Sequence, residues 1–136
     1  MTKKDLISYR LAEAGDVNFI LSTWLKGMTG GNDYYRMINR ESFNYHYGEF
    51  IKRRMAKQGV LIMVACLKES PDVILGYSVT ERVKNKNVLH WVYVKKEWRR
   101  IGIAKDILPS EINVTTSMTA LGKKIKPKGL VFDPFL

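Results

Sequence analysis

The chain is poor in the residues that build metal sites and disulfides. One cysteine, Cys66, and two histidines, His46 and His90, occur in 136 residues. A single cysteine excludes an internal disulfide framework, and this set offers no zinc-ligand spacing, so no metal site is expected. Cys66 falls in the apolar run Val60–Leu67 and reads as an inert core residue suited to a reducing cytosol. No apolar run approaches the about 20 residues needed to span a bilayer. The opening stretch, MTKKDLISYR, carries charge and no apolar segment, unlike a signal peptide. These absences lead us to expect a soluble, cytoplasmic protein. Acidic residues are also scarce: 13 Asp and Glu face 23 Lys and Arg, for a net charge of +10.

What is present argues for one packed domain over residues 1–136. The hydrophobic fraction of 46% with 11% aromatics is that of a globule. A chain of this length buries about two-thirds of its unfolded surface and needs no staple. Repeats, low-complexity tracts and linker-like stretches are missing.

Leu6–Leu11 reads as a first strand. Asp16 is placed to start a helix running to about Met28, with Val17, Ile20, Leu21, Trp24, Leu25 and Met28 at helical spacing. Trp24 is expected in the core, and Thr29-Gly30-Gly31-Asn32 is expected to break the helix. One or two further helices fill Tyr34 to about Lys57. Phe43, Tyr47, Phe50, Ile51 and Met55 form one apolar face there. Val60–Leu67 and Val73–Arg82 read as a hairpin, and Val88–Val94 as a fourth strand. A helix over Ile101–Leu108 must end before Pro109. Ile112–Thr116 reads as a fifth strand, Met118–Ile125 as a short helix, and Leu130–Phe132 as a last strand.

The most informative stretch is the passage from the fourth strand into the following helix. The apolar run to Val94 gives way to a cationic loop containing Arg99-Arg100-Ile101-Gly102-Ile103-Ala104. Backbone N–H groups at such a turn converge on one point and attract an anion; a glycine leaves the ligand room to approach.

The pattern Arg99-x-x-Gly102-x-Ala104 resembles the acyl-CoA pyrophosphate loop of the GNAT N-acetyltransferase superfamily. Ile74-Leu75-Gly76-Tyr77-Ser78 is similar to a segment of that family's third strand, and Arg10-x-Ala12 to its opening. The resemblance implies an α/β (α+β) GNAT fold, with a mixed, mostly antiparallel sheet flanked by helices. It also implies acetyl-CoA as acyl donor and direct transfer of an acetyl group to an amine of a protein or small molecule. The donor site would comprise Val92, Tyr93 and Val94 along the strand, and Arg99, Arg100, Ile101, Gly102, Ile103, Ala104 and Lys105 around the phosphates. The family's aromatic-rich acceptor entrance would draw on Tyr34, Tyr35, Phe43, Tyr45 and Tyr47. Short, basic chains of this kind also resemble members carried by bacteriophages.

Catalytic candidates are fewer. Many GNAT enzymes carry a base on the fourth strand, and His90 stands near that point. Alternation puts His90 on one face with Val88 and Val92, and an imidazole has a suitable pKa. Glu81 is a second candidate. The family's acid tyrosine is missing, since no tyrosine follows Tyr93. Water, Ser117 or Thr119 would have to relay that proton. The basic clusters (Lys52, Arg53, Arg54 and Lys57; Lys123, Lys124, Lys126 and Lys128) attract polyanions. The alternative is therefore a catalytically weak or silent GNAT-fold module that binds an acidic protein or nucleic acid.

Overall fold

In the computed structural model, which describes residues 2–117 and 130–136, a central sheet carries helices on both faces. In chain order it runs β1 (Ile7–Leu11), α1 (Val17–Gly31), α2 (Asp33–Met37), α3 (Arg40–Ala56), β2 (Val60–Leu67), β3 (Ser70–Val83), β4 (Lys86–Val94), α4 (Ile103–Ile107), β5 (Val114–Thr115) and β6 (Val131–Phe132). The six strands lie in sequence order across the sheet. β1 to β4 are antiparallel neighbours, whereas β5 runs parallel to β4 and β6 parallel to β5. The expected helix over Met118–Ile125 lies outside the described residues.

Alternation along β2, β3 and β4 gives the sheet two apolar faces, as expected for strands covered on both sides. One face packs Val64, Cys66, Tyr77, Val79 and Trp91 against Ile20 and Trp24 of α1 and Ile51 of α3. The other packs Ile7, Ala65 and Leu75 against Ile103 and Ile107 of α4, with Val92 and Val94 at its margin. Cys66 is buried and free, as its surroundings predicted.

Several boundaries differ from the expectation. α1 continues through Gly30 and Gly31, because Asn32 starts the next helix by accepting from the Tyr34 N–H at 2.9 Å. Asp16 stands at the start of α1 but does not cap it. Its carboxylate instead accepts from the Glu13 N–H at 2.7 Å and pairs with Arg10 at 2.6 Å. β3 begins earlier, at Ser70, and takes in Pro71. α4 spans 5 residues rather than eight, starting only after Gly102. Gly102 has φ +95°, outside the helical region, and its carbonyl accepts the first helical bond from Asp106 at 3.0 Å.

Contrary to the expectation from alternation, His90 does not share a face with Val92. The β3–β4 register pairs Val79 with Trp91 but Thr80 with Leu89, leaving His90 as an extra residue in a β-bulge. The bulge breaks strict alternation. His90 turns toward Arg54 of α3, whereas Val92 packs on the α4 side.

Candidate active site

β4 and β5 form a wedge. Among the described residues they pair only at Val88–Val114 and Leu89–Thr115. The Thr116 N–H then bonds the Leu89 carbonyl at 3.0 Å, and the Ser117 hydroxyl donates to the His90 carbonyl at 2.9 Å. Beyond Ser117, no described residue pairs its backbone with this edge of β4. The Lys95 N–H faces β3, bonding Leu75 O at 2.8 Å, so alternation turns the backbone of Val92 and Val94 to the open edge. Arg99 Nε reaches the Val94 carbonyl on this edge at 2.8 Å, tying the loop to the strand end.

At one mouth of the wedge stands the loop before α4. Two residues there adopt left-handed backbone, Arg100 (φ +66°) and Gly102 (φ +95°). Among the described residues, no backbone or side-chain acceptor meets the N–H groups of Arg100, Ile101, Gly102, Ile103 or Ala104. A Cβ on Gly102 would point into open space, its nearest neighbour being Lys4 Nζ at 3.6 Å. Successive free N–H groups beside an open glycine form a cradle for a diphosphate, so these residues fit the polar end of an acyl-CoA. Ile103 differs from its loop neighbours in being buried, holding the loop onto the sheet.

The sequence reading missed the N-terminal contribution to this mouth. Lys3 places its ammonium 4.9 Å from the Trp98 ring centre, and Lys4 lies 3.9 Å from Asp106. Asp106 also accepts from the Tyr9 hydroxyl at 2.7 Å. Burial, helped by that carboxylate, pushes the Tyr9 hydroxyl up to about 12. Nothing local in the sequence linked residues 3–9 to residues 98–106; the β1–β2 pairing does so.

At the other mouth lies a pocket of about 240 Å³ between α1, α2, α3 and the ends of β4, β5 and β6. Its walls are aromatic: Trp24, Tyr35, Tyr47, Phe50, Trp91 and Phe132, with Arg54, Thr116 and Ser117 as polar members. Trp24 and Trp91 stack at 5.6 Å and 12°, so Trp24 belongs both to the core and to the wall. Of the five aromatics expected at this entrance, Tyr35 and Tyr47 line it. Phe43 is buried beneath them, and Tyr34 and Tyr45 face outward, each 65% exposed.

Behind the pocket a buried polar chain joins α3, β3, β4 and the residue after β5. Arg54 Nη1 donates to Thr116 Oγ1 at 3.0 Å and also contacts His90 Nδ1. Thr116 Oγ1 lies 2.8 Å from His90 Nδ1. His90 Nε2 meets Glu81 Oε1 at 2.9 Å, and Lys57 holds the other carboxylate oxygen, also at 2.9 Å. Arg54 can only donate, so His90 Nδ1 must be the acceptor and Nε2 carries the hydrogen toward Glu81. Burial lowers the His90 pKa, opposed by Glu81 and reinforced by Arg54, so the ring is neutral near pH 7. Burial alone would raise the Glu81 pKa, but its bonds to Lys57 and His90 win and hold it low. The structure thus brings His90 and Glu81 together, and Ser117 lines the neighbouring pocket. Thr119 lies outside the described residues. Arg54 and Thr116 had not been singled out for this site. Their signal is three-dimensional, because α3 and the end of β5 meet only across the sheet.

This arrangement is the fold of the acyl-CoA N-acyltransferases of the GNAT type. A predicted acetyltransferase with acetyl-CoA from Clostridium acetobutylicum aligns with a TM-score of 0.59 and 13% identity, over 94% of this chain and 80% of that one. An acetyltransferase assigned to the GNAT family, from Staphylococcus aureus subsp. aureus, gives 0.55 and 13%, over 73% and 82%. A GNAT-family acetyltransferase from Staphylococcus aureus MU50 gives 0.50 and 17%, over 74% of this chain and 60% of that one. No protein-family profile matches the sequence. No curated protein matches it either. The likeness is therefore one of fold. Among the described residues, no helix is long and apolar enough to cross a membrane.

Proposed function

We propose that the protein is an acetyl-CoA-dependent N-acetyltransferase that transfers directly to an amine. One observation carries this reading: the β4–β5 wedge opens onto a phosphate cradle at one mouth and an aromatic pocket at the other. A donor and an acceptor held at the two mouths would meet where the strands part, and such positioning supplies much of the rate.

The backbone of Arg100–Lys105 would hold the donor's diphosphate, with Lys3 and Lys4 adding positive charge. The open edge at Val92–Val94 would bond the donor's amides, with the Tyr93 side chain turned to the other face. When bound, acetyl-CoA supplies an activated acetyl group for the amine. The chain's own part is then proton handling. Thr116 Oγ1 sits between Arg54 and His90, so a proton released at the pocket would pass through the hydroxyl to His90 Nδ1 as Arg54 gives up its own bond to that nitrogen. The Glu81 carboxylate at Nε2 stabilises the resulting imidazolium. Ser117 has its hydroxyl engaged with the His90 carbonyl and would serve as an acid only after releasing it.

The second reading, a silent GNAT-fold module for an acidic protein or nucleic acid, draws on the net charge of +10 and on the lack of any tyrosine after Tyr93. Arg53 and Lys57 face solvent on α3 and would serve it; Lys123, Lys124, Lys126 and Lys128 lie outside the described residues. Calorimetric titration with acetyl-CoA at low and moderate salt separates the two. Micromolar binding that survives salt supports the enzyme; absent or strongly salt-sensitive binding favours the module.

A further inference from the structure

The pocket at the acceptor mouth holds a cation where an amine is expected. Arg54 enters it from α3, and its guanidinium lies 4.9 Å from the centre of the Phe50 ring, itself a wall of the pocket. Among the described residues only Nη1 is engaged, with Thr116 and His90. Among the described residues Arg54 has no carboxylate partner, because Glu81 is taken by Lys57 and His90. Arg53 on α3 and Lys57 just after it lie close by, lining an adjoining groove with Arg54 in which Glu81 is the one acidic side chain among the described residues. An ammonium ion alone would be repelled here, whereas a carboxylate would find a planar two-pronged donor. The remaining surface is aromatic. The volume, about 240 Å³, falls below the roughly 300 Å³ at which pockets for drug-sized ligands begin.

Resting on the acetyltransferase reading, we propose that the acceptor is a small amino acid or similar molecule, carrying a carboxylate and an apolar body besides its amine. The carboxylate pairs with the free edge of Arg54. The body lies against Trp24, Tyr47 and Trp91. The amine is left toward Thr116, where β4 and β5 separate. His90 and Thr116 act here as positioning residues for Arg54, fixing Nη1 so that the other prongs face the pocket.

Three matched probes test this by calorimetric titration of the full chain: L-phenylalanine, 3-phenylpropanoate (no amine) and phenethylamine (no carboxylate). The expected result is that both carboxylates bind at least tenfold more tightly than phenethylamine. Arg54→Gln should remove that preference by weakening both carboxylates, while phenethylamine binds no more weakly than before. Phenethylamine binding as well as 3-phenylpropanoate would overturn the proposal, as would failure of all three. Because the wild-type comparison suffices, poor folding of the Arg54 variant leaves the proposal open to refutation. CoA titration of the same sample keeps the two readings apart. CoA binding without carboxylate binding refutes the pocket assignment alone. Carboxylate preference without CoA binding upholds the pocket and removes the transfer reading.

Discussion

The two faces of the sheet are built by different means. On the α4 face the site is mainly backbone: a strand edge, two left-handed residues and a run of free N–H groups, all between Val92 and Lys105. On the α1–α3 face the site is side chains: Arg54, Glu81, His90 and Thr116 come from four separated parts of the chain. A backbone site needs only a glycine at one place and tolerates most neighbours. A side-chain site fails if one member is lost, since each buried polar group depends on the next.

The largest effect expected from breaking this contrast is at Gly102. Gly102→Asp places a carboxylate in the cradle and forces a Cβ onto φ +95°. CoA affinity should fall by about 100-fold or more in calorimetry, equal to about 2.7 kcal/mol. The backbone strain should add about 1–2 kcal/mol of lost stability, visible as a lower urea midpoint. Unchanged affinity would mean that the phosphates lie elsewhere.

Next come positions where stability should suffer most. Arg10→Met leaves the Asp16 carboxylate, with a side chain only 8% exposed, without its partner. A loss of about 3 kcal/mol is expected by urea denaturation. Gly76→Ala brings a Cβ to 2.7 Å from the Tyr93 carbonyl and 3.3 Å from Val94 Cα. It should cost about 1–3 kcal/mol and weaken CoA binding as well, because the open edge at Val92–Val94 would shift. Normal CoA affinity in this variant would show that the edge is not part of the donor site.

A smaller, pH-dependent effect belongs to the other face. His90 has a folded-state pKa below its unfolded value of about 6.5. Between those values the unfolded chain binds more protons, so stability rises with pH and is lost as pH falls below about 6.5. Asp16 and Glu81, both held low, add a further loss only as pH drops through the carboxylate range near 4. His90→Gln should erase the upper arm in urea titrations at pH 5 and 7.5 and leave the lower one. An unchanged upper arm would mean that a group other than His90 produces it. The smallest effect is expected at Lys4, 62% exposed at its side chain. Lys4→Ala should weaken CoA binding no more than about threefold, and only at low salt.

The same contrast explains what could be read in the sequence. The loop was legible because its residues are contiguous and its glycine has a conformational reason. The strands β2 and β4 were legible from unbroken apolar runs, and α3 from the spacing of Phe43, Tyr47 and Ile51. The length of α4 was not, because apolar spacing at Ile101–Leu108 says nothing of a left-handed Gly102. The direction of His90 was not, because a bulge inserts one residue without any local sequence mark. Arg54 read as one more member of a basic cluster, and only the meeting of α3 with the end of β5 distinguishes it from Arg53.

The pairing of the last two strands carries one more consequence. Among the described residues, β5 joins β4, and β6 joins β5, through two residue pairs each, against five for β1 and eight for each pairing of β3 with its neighbours. So few rungs make this end of the sheet the first to open, ahead of the global transition. Amide protons at Thr115, Thr116 and Phe132 should exchange with deuterium long before those of Val64 or Val79. Because Thr116, Ser117 and Phe132 wall the pocket, its occupant would also act as a fastener, slowing exchange at a seam that the backbone alone closes loosely.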